Sequence, residues 1–202
     1  MLRHAPYLPP RPGRFHTIVM PDTARRHTVD EVLALPADGN RYELVHGELL
    51  VTPAPRSRHQ AAVVLLVERL QAYLRQTERV GSLFLAPADI SWDDKTLVQP
   101  DLFVVPPHEV SGDWNTFKTL LLAVEILSPS SGRADRVIKR RLYQQQRVAT
   151  YWIVDLEARV VEVWHPDDER PEIVADVLRW RVGDEVPELA IDLEELFTEL
   201  PS

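Results

Sequence analysis

A single carboxylate, Glu125, interrupts the apolar run TLLLAVEIL at 119–127. Burying a lone carboxylate costs several kcal/mol, so such a group is paired, protonated or bound to a cation. A strand end emerging into solvent ahead of Ser128-Pro129 is an equal alternative for Glu125 taken by itself. Asp101 shifts that balance, because it follows Pro100 and precedes the apolar residues LFVV. Proline cannot donate to a sheet ladder, so the strand edge is irregular there. Two carboxylates on neighbouring strands can converge on one cation, and Mg²⁺ is commonly held by one or two carboxylates, with water and phosphate completing its shell. Read singly, Asp101 could equally be a turn or cap residue.

Basic residues follow closely in Arg133, Arg136, Lys139, Arg140, Arg141 and Arg147. Most fit a solvated helix face. Lys139 differs because Asp135 lies one turn before it. Such an i,i+4 pair can simply support a helix. A lysine aimed at a carboxylate-held metal could instead position water or neutralise charge in a phosphorane-like transition state.

The elements that must position these groups can be read from periodicity. Thr28–Leu35 reads as a short helix, with Thr28 as N-cap and Glu31 closing a capping box. Residues 41–52 read as a hairpin turning at His46-Gly47, with Val45 opposite Glu48 and Glu43 opposite Leu50. Glu43, Val45, Glu48 and Leu50 then share one face, and Tyr42, Leu44, Leu49 and Val51 form the apolar other face. A long helix is expected from His59 to Gln76, with Val63, Leu66, Val67, Leu70 and Leu74 as its stripe. Strands are expected at Leu83–Trp92, Val98–Val105 and Thr119–Leu127, the last central and covered on both faces. A second helix follows at Arg133–Arg147. Strands at 150–155 and 159–165 are joined by a tight turn, then come a short strand near Arg179–Val182 and a helix near Leu193–Leu200. This order predicts the α/β class, a central mixed sheet flanked by helices behind an N-terminal β-hairpin.

Residues 1–20 read as a flexible Pro/Arg-rich arm, and residues 21–202 as a single domain. Met20 stands where periodic sequence begins, so the arm could also precede the native start. The chain of 202 residues contains no cysteine, which excludes disulfides and thiolate metal ligands. No apolar run suits a membrane span and no signal-peptide order is visible, leaving a cytoplasmic location as the expectation. A net charge of -8 argues against coating nucleic acid through the whole surface but fits a carboxylate-rich cation site. The five tryptophans read as packing residues. His165 with Asp167 and Asp168 reads as an exposed turn rather than a metal cluster.

Taken together, RYELVHGEL (41–49), His59, QPDLFVV (99–105), VEILSPSS (124–131), the spacing of Asp135, Lys139 and Tyr143, and ATYWIVD (149–155) resemble the Uma-two family of restriction-endonuclease-like proteins. That family falls within the PD-(D/E)xK nucleases. The matching pieces span residues 28–165 in the expected order. The resemblance implies a restriction-endonuclease-like core and phosphodiester hydrolysis assisted by Mg²⁺ or Mn²⁺. It maps Asp101 and Glu125 onto the metal-binding carboxylates and Lys139 onto the lysine that the broader motif carries two residues after the glutamate, where Leu127 stands here. Glu43 matches an acidic position of the first motif, as a third ligand or a water-orienting group. His59 is either a loop histidine or a group facing phosphate or water. The partner implied is nucleic acid, DNA rather than RNA, with no membrane, and a homodimer would suit cleavage of two strands. Two other readings stay open. One is a non-catalytic nucleic-acid-binding or regulatory module on a nuclease-like scaffold. The other is hydrolysis of a small phosphate ester.

Overall fold

The structure is a computed structural model, and it describes residues 25–77, 80–110, 114–128 and 131–201. The expected arm and Met20 lie outside the described residues.

The chain begins with α1 (Val29–Leu33), where the capping box forms as expected: Glu31 N–H donates to the Thr28 hydroxyl and Thr28 N–H donates to the Glu31 carboxylate. The hairpin of β1 (Arg41–Val45) and β2 (Glu48–Thr52) has the anticipated register, Glu43 opposite Leu50. His46 and Gly47 both adopt positive φ, 50° and 81°, the pair of angles a two-residue turn between twisted strands requires. One expected feature differs. Both faces of the hairpin are covered in part: Leu44 packs with Val32 and Leu97, while Val45 packs into the main sheet, and Val51 is exposed.

Helix α2 (Ser57–Gln76) starts two residues before His59 and buries Val63, Leu66, Leu70 and Leu74. The next two expected strands each split. Pro87 and Pro100 interrupt them, giving β3 (Ser82–Leu85), β4 (Ile90–Asp93), β5 (Thr96–Val98) and β6 (Leu102–Val105). Each expected strand thereby leaves one sheet and enters another. β4 and β5 join the hairpin in a sheet ordered β2-β1-β5-β4. β3 and β6 join β7 (Leu122–Ile126), β8 (Tyr151–Asp155), β9 (Val160–Trp164) and β10 (Glu172–Val174) in the six-stranded sheet β10-β9-β8-β7-β6-β3. That sheet is mixed: β7 and β8 are parallel, and the other pairs are antiparallel. A parallel pair needs a long crossover, which the second helical segment provides. Its first part, Ala134–Lys139, is wound as a π-helix and runs into α3 (Arg140–Gln145).

β7 lies between β6 and β8, so it is central as expected. Alternation sends Leu122, Val124 and Ile126 towards α2 and the C-terminal elements, and Ala123 towards α3 and the hairpin. The terminal ribbon, β11 (Val177–Trp180) with β12 (Leu189–Asp192), and α4 (Leu193–Thr198) close the α2 face. Of these, β10 and β12 have no counterpart among the elements expected from periodicity. No helix among the described residues is long and apolar enough to cross a membrane.

Candidate active site

Glu125 lies on the α3 side of β7, because it shares alternation with Ala123. Its Oε1 accepts from Lys139 Nζ at 3.0 Å and from the Tyr143 hydroxyl at 3.1 Å. Lys139 Nζ also lies 2.7 Å from Glu43 Oε2 and 3.3 Å from Asp135 Oδ1. Glu43 is presented by β1, and its other oxygen accepts the Gln99 N–H at 2.8 Å. One buried ammonium thus ties together a hairpin strand, the central strand and the crossover helix. Asp135, Lys139 and Tyr143 follow one another at i, i+4 and i+8, and the wide turn of the π-segment leaves all three buried on the sheet side. Single π-turns are often found at functional sites.

Asp101 sits one residue ahead of β6, where the ladder pairs Leu102 with Val124. Extended by one step, the register sets Asp101 beside Glu125. Asp101 Oδ2 accepts the Ile126 N–H at 2.8 Å, so the two acidic residues are fastened through adjacent backbone. Its Oδ1 pairs with Arg41 at 3.0 Å, and His59 Nε2 reaches Oδ2 at 3.0 Å. An ionised carboxylate only accepts, so Nε2 is the protonated ring nitrogen here. His59 Nδ1 is buried without a hydrogen-bond partner.

Electrostatics separate the two acids. Burial alone would raise Asp101, but the His59 hydrogen bond, the Arg41 charge and the Ile126 amide outweigh it and hold the carboxyl below the usual range. Glu125 goes the other way. Burial pushes its carboxyl well up, and the charges of Asp135, Asp101 and Glu43 add to that against the opposing pull of Lys139. Burial also raises Asp135. For Lys139, burial favours loss of the proton, yet Glu125, Glu43 and Asp135 more than reverse this and keep the ammonium charged.

Asp101, Glu125, His59, Lys139 and Arg41 all line one open cleft of about 290 Å³. The donor set suits a hard cation: four carboxylates (Glu43, Asp101, Glu125, Asp135) face two permanent cations (Arg41, Lys139), and both described contacts of Glu125 use Oε1. Among the described residues no group of three His, Asp or Glu side chains is arranged to hold a metal ion.

The structure brings together Glu43, His59, Asp101, Glu125 and Lys139, the residues singled out from sequence. It adds Arg41, Asp135 and Tyr143. Arg41 could have been found from strand alternation, since it shares a face with Glu43. Asp135 and Tyr143 were visible as helical spacing around Lys139. Three of the other basic residues of the crossover are engaged elsewhere: Arg136 binds Asp155 and Glu162, Arg140 stacks 4.6 Å over Trp164, and Arg147 pairs with Asp167. His165 is exposed and pairs with Asp168 at the turn expected for it.

A family model described as "Uma2: Putative restriction endonuclease" matches residues 29–194. Among solved structures, a protein from Anabaena variabilis ATCC 29413, described as "a putative nuclease belonging to DUF820", aligns with a TM-score of 0.70 at 22% identity, over 85% of this chain and 97% of that one. No curated protein matches the chain. The structural likeness establishes a shared fold, with the mixed six-stranded sheet and flanking helices as its core in this chain. The family match supports a nuclease-like function.

Proposed function

The chain belongs to the Uma2 family of restriction-endonuclease-like proteins, and on that footing we propose that it is a divalent-metal-dependent endonuclease hydrolysing phosphodiester bonds, in DNA by preference. The observation that carries this reading is the fastening of Asp101 beside Glu125 on adjacent strands at an open cleft, with the Lys139 ammonium 3.0 Å from Glu125.

Asp101 and Glu125 would hold Mg²⁺ or Mn²⁺, which when bound supplies Lewis-acid polarisation of the phosphoryl oxygen and a more acidic water. In hydrolysis a water oxygen bonds to phosphorus as the ester bond to the leaving sugar oxygen breaks. The water gives up a proton to solvent, and the leaving oxygen takes one from solvent. The chain's own residues fix the geometry of that event. Arg41 and His59 lock the Asp101 carboxylate from two sides. Lys139 and Tyr143 fix Glu125 through one oxygen, leaving the other to face a ligand. Glu43 meets Lys139 with one oxygen and the Gln99 N–H with the other, which makes it a positioning residue for the ammonium. Lys139 offsets negative charge gathering at the phosphoryl group, and to touch that group directly it must release its longest contact, Asp135 at 3.3 Å.

That same saturation of Lys139 by three carboxylates favours a second reading, a binding module without turnover. One experiment separates them. Purified protein is incubated with plasmid DNA, and separately with RNA, in Mn²⁺ or Mg²⁺, alongside Glu125→Gln and Asp101→Asn. The nuclease reading expects nicking by the parent, loss in both variants, and loss with chelator. A parent that binds DNA yet cuts neither DNA nor RNA under these conditions overturns it in favour of the binding module.

A further inference from the structure

A second recess of about 190 Å³ adjoins the active cleft. Arg41, Pro55, His59 and Asp101 line both hollows. Away from these shared residues the lining changes character. It is made by Leu85, Ala86 and Pro87 at and after the end of β3, by Val63 of α2, and by Gln60 and Gln99. Leu85 is 49% exposed although it ends a strand of the main sheet. This apolar side is fastened to the site itself, since Ala86 N–H donates to the Asp101 carbonyl at 3.2 Å. Gln99 is fixed by donating its side-chain N–H to Asp89 at 2.7 Å, which leaves its amide oxygen as an acceptor, and Gln60 stands exposed at the rim.

We propose that this recess receives the nucleobase flanking the scissile phosphate, so that the substrate is single-stranded or locally unpaired nucleic acid. The proposal rests on the nuclease reading above. A second phosphate does not suit the recess, because among the described lining residues Arg41 and His59 alone can carry positive charge, and both are engaged with Asp101. The puckered, oxygen-bearing furanose of a nucleic acid has no broad flat face to lay against Leu85, Pro87 and Val63. A base has both the face and a hydrogen-bonding edge, which Gln60 and the Gln99 amide oxygen can meet. In a duplex the faces are stacked and the edges paired, so a base beside the cleaved phosphate reaches this recess only after leaving the stack.

The test uses the full chain with oligonucleotides in Mn²⁺, comparing a single strand, its duplex, and the single strand carrying abasic sites at successive positions. Gln60→Trp, at an exposed position, narrows the recess while leaving both carboxylates in the chain, and Leu85→Ala removes part of the apolar lining. Binding is read separately from cleavage by the fluorescence of 2-aminopurine placed along the strand. The expected results are a preference of at least about tenfold for the single strand over the duplex, and an abasic site beside the cut that raises KM with little change in kcat. Gln60→Trp should reproduce that rise on the intact strand and add nothing on the abasic one. Equal handling of duplex, intact and abasic strands by parent and variants, with cleavage retained, overturns the recess alone. Protein that binds and unstacks 2-aminopurine but never cuts overturns the nuclease reading and keeps the recess. Protein that neither binds nor cuts overturns both.

Discussion

Removing the Lys139 ammonium should reveal how much of the fold depends on the site. Lys139→Met keeps most of the length and the apolar stem of the side chain but strips the counter-charge from Glu43, Glu125 and Asp135, each 1–2% exposed. In the parent protein the three carboxylate oxygens lie 2.7, 3.0 and 3.3 Å from Nζ. Removing one member of a buried ion pair costs roughly 3–5 kcal/mol, because the partner stays behind without compensation. Domain stability is commonly about 5–15 kcal/mol, so the variant should lose a substantial share of it. For a chain of this size that corresponds to a melting temperature lower by roughly 6–20 °C. The loss should depend on pH. Burial already holds Glu125 and Asp135 above ordinary carboxyl values, and without Lys139 they rise further. A carboxyl raised in the folded state binds its proton more tightly there than in the unfolded chain. Its penalty is therefore full above the folded-state pKa and is relieved as pH falls through it. Urea titrations at pH 8 and pH 5.5 should show the variant closer to the parent at the lower pH. A loss under about 1 kcal/mol at pH 8, within the range of an exposed pair, or a deficit that widens on acidification, would refute Lys139 as the buried link among the three carboxylates.

Three further outcomes follow from the same geometry. Calorimetric titration with Mn²⁺ should give a binding signal that Glu125→Gln weakens by at least about tenfold, since one of two carboxylate ligands loses its charge; an unchanged isotherm would move the ion elsewhere. Leu66→Ala, at a fully buried position of α2 packed under the main sheet, should cost about 2–5 kcal/mol in denaturant with no change in Mn²⁺ affinity. Thr28→Ala breaks the capping box of α1 and should cost about 1 kcal/mol, read as a shift in the urea midpoint at constant slope.

Local chemistry made several elements legible. The hairpin register followed from a two-residue turn, because the length of such a turn leaves one pairing that keeps the apolar faces together. The capping box followed from the Thr28–Glu31 spacing, and β7 followed from an apolar run too long to be covered on one face only. Three features were not legible. Leu83–Trp92 and Val98–Val105 look continuous, but Pro87 and Pro100 break each into pieces that serve different sheets, and which sheet a strand joins depends on partners far away in sequence. β10 and β12 are only three and four residues long, too short to show a period, and are strands because β9 and β11 offer them edges. The π-winding of Ala134–Lys139 has no composition signal.

For the site, the sequence by itself determined which groups were available: two acids in apolar settings, a lysine one turn after an aspartate, a glutamate in the hairpin and a histidine at the head of the long helix. Helix and strand periods also set which of them share a face with their near neighbours. Only the tertiary structure decided that Lys139 is spent on three carboxylates, that Arg41 and His59 both grip Asp101, and that Asp101 is fastened beside Glu125 by the Ile126 amide. The physical reason is one of range. Period and propensity act over a few residues, whereas the energy of a buried charge is set by whatever the packed chain brings within about 3–4 Å of it.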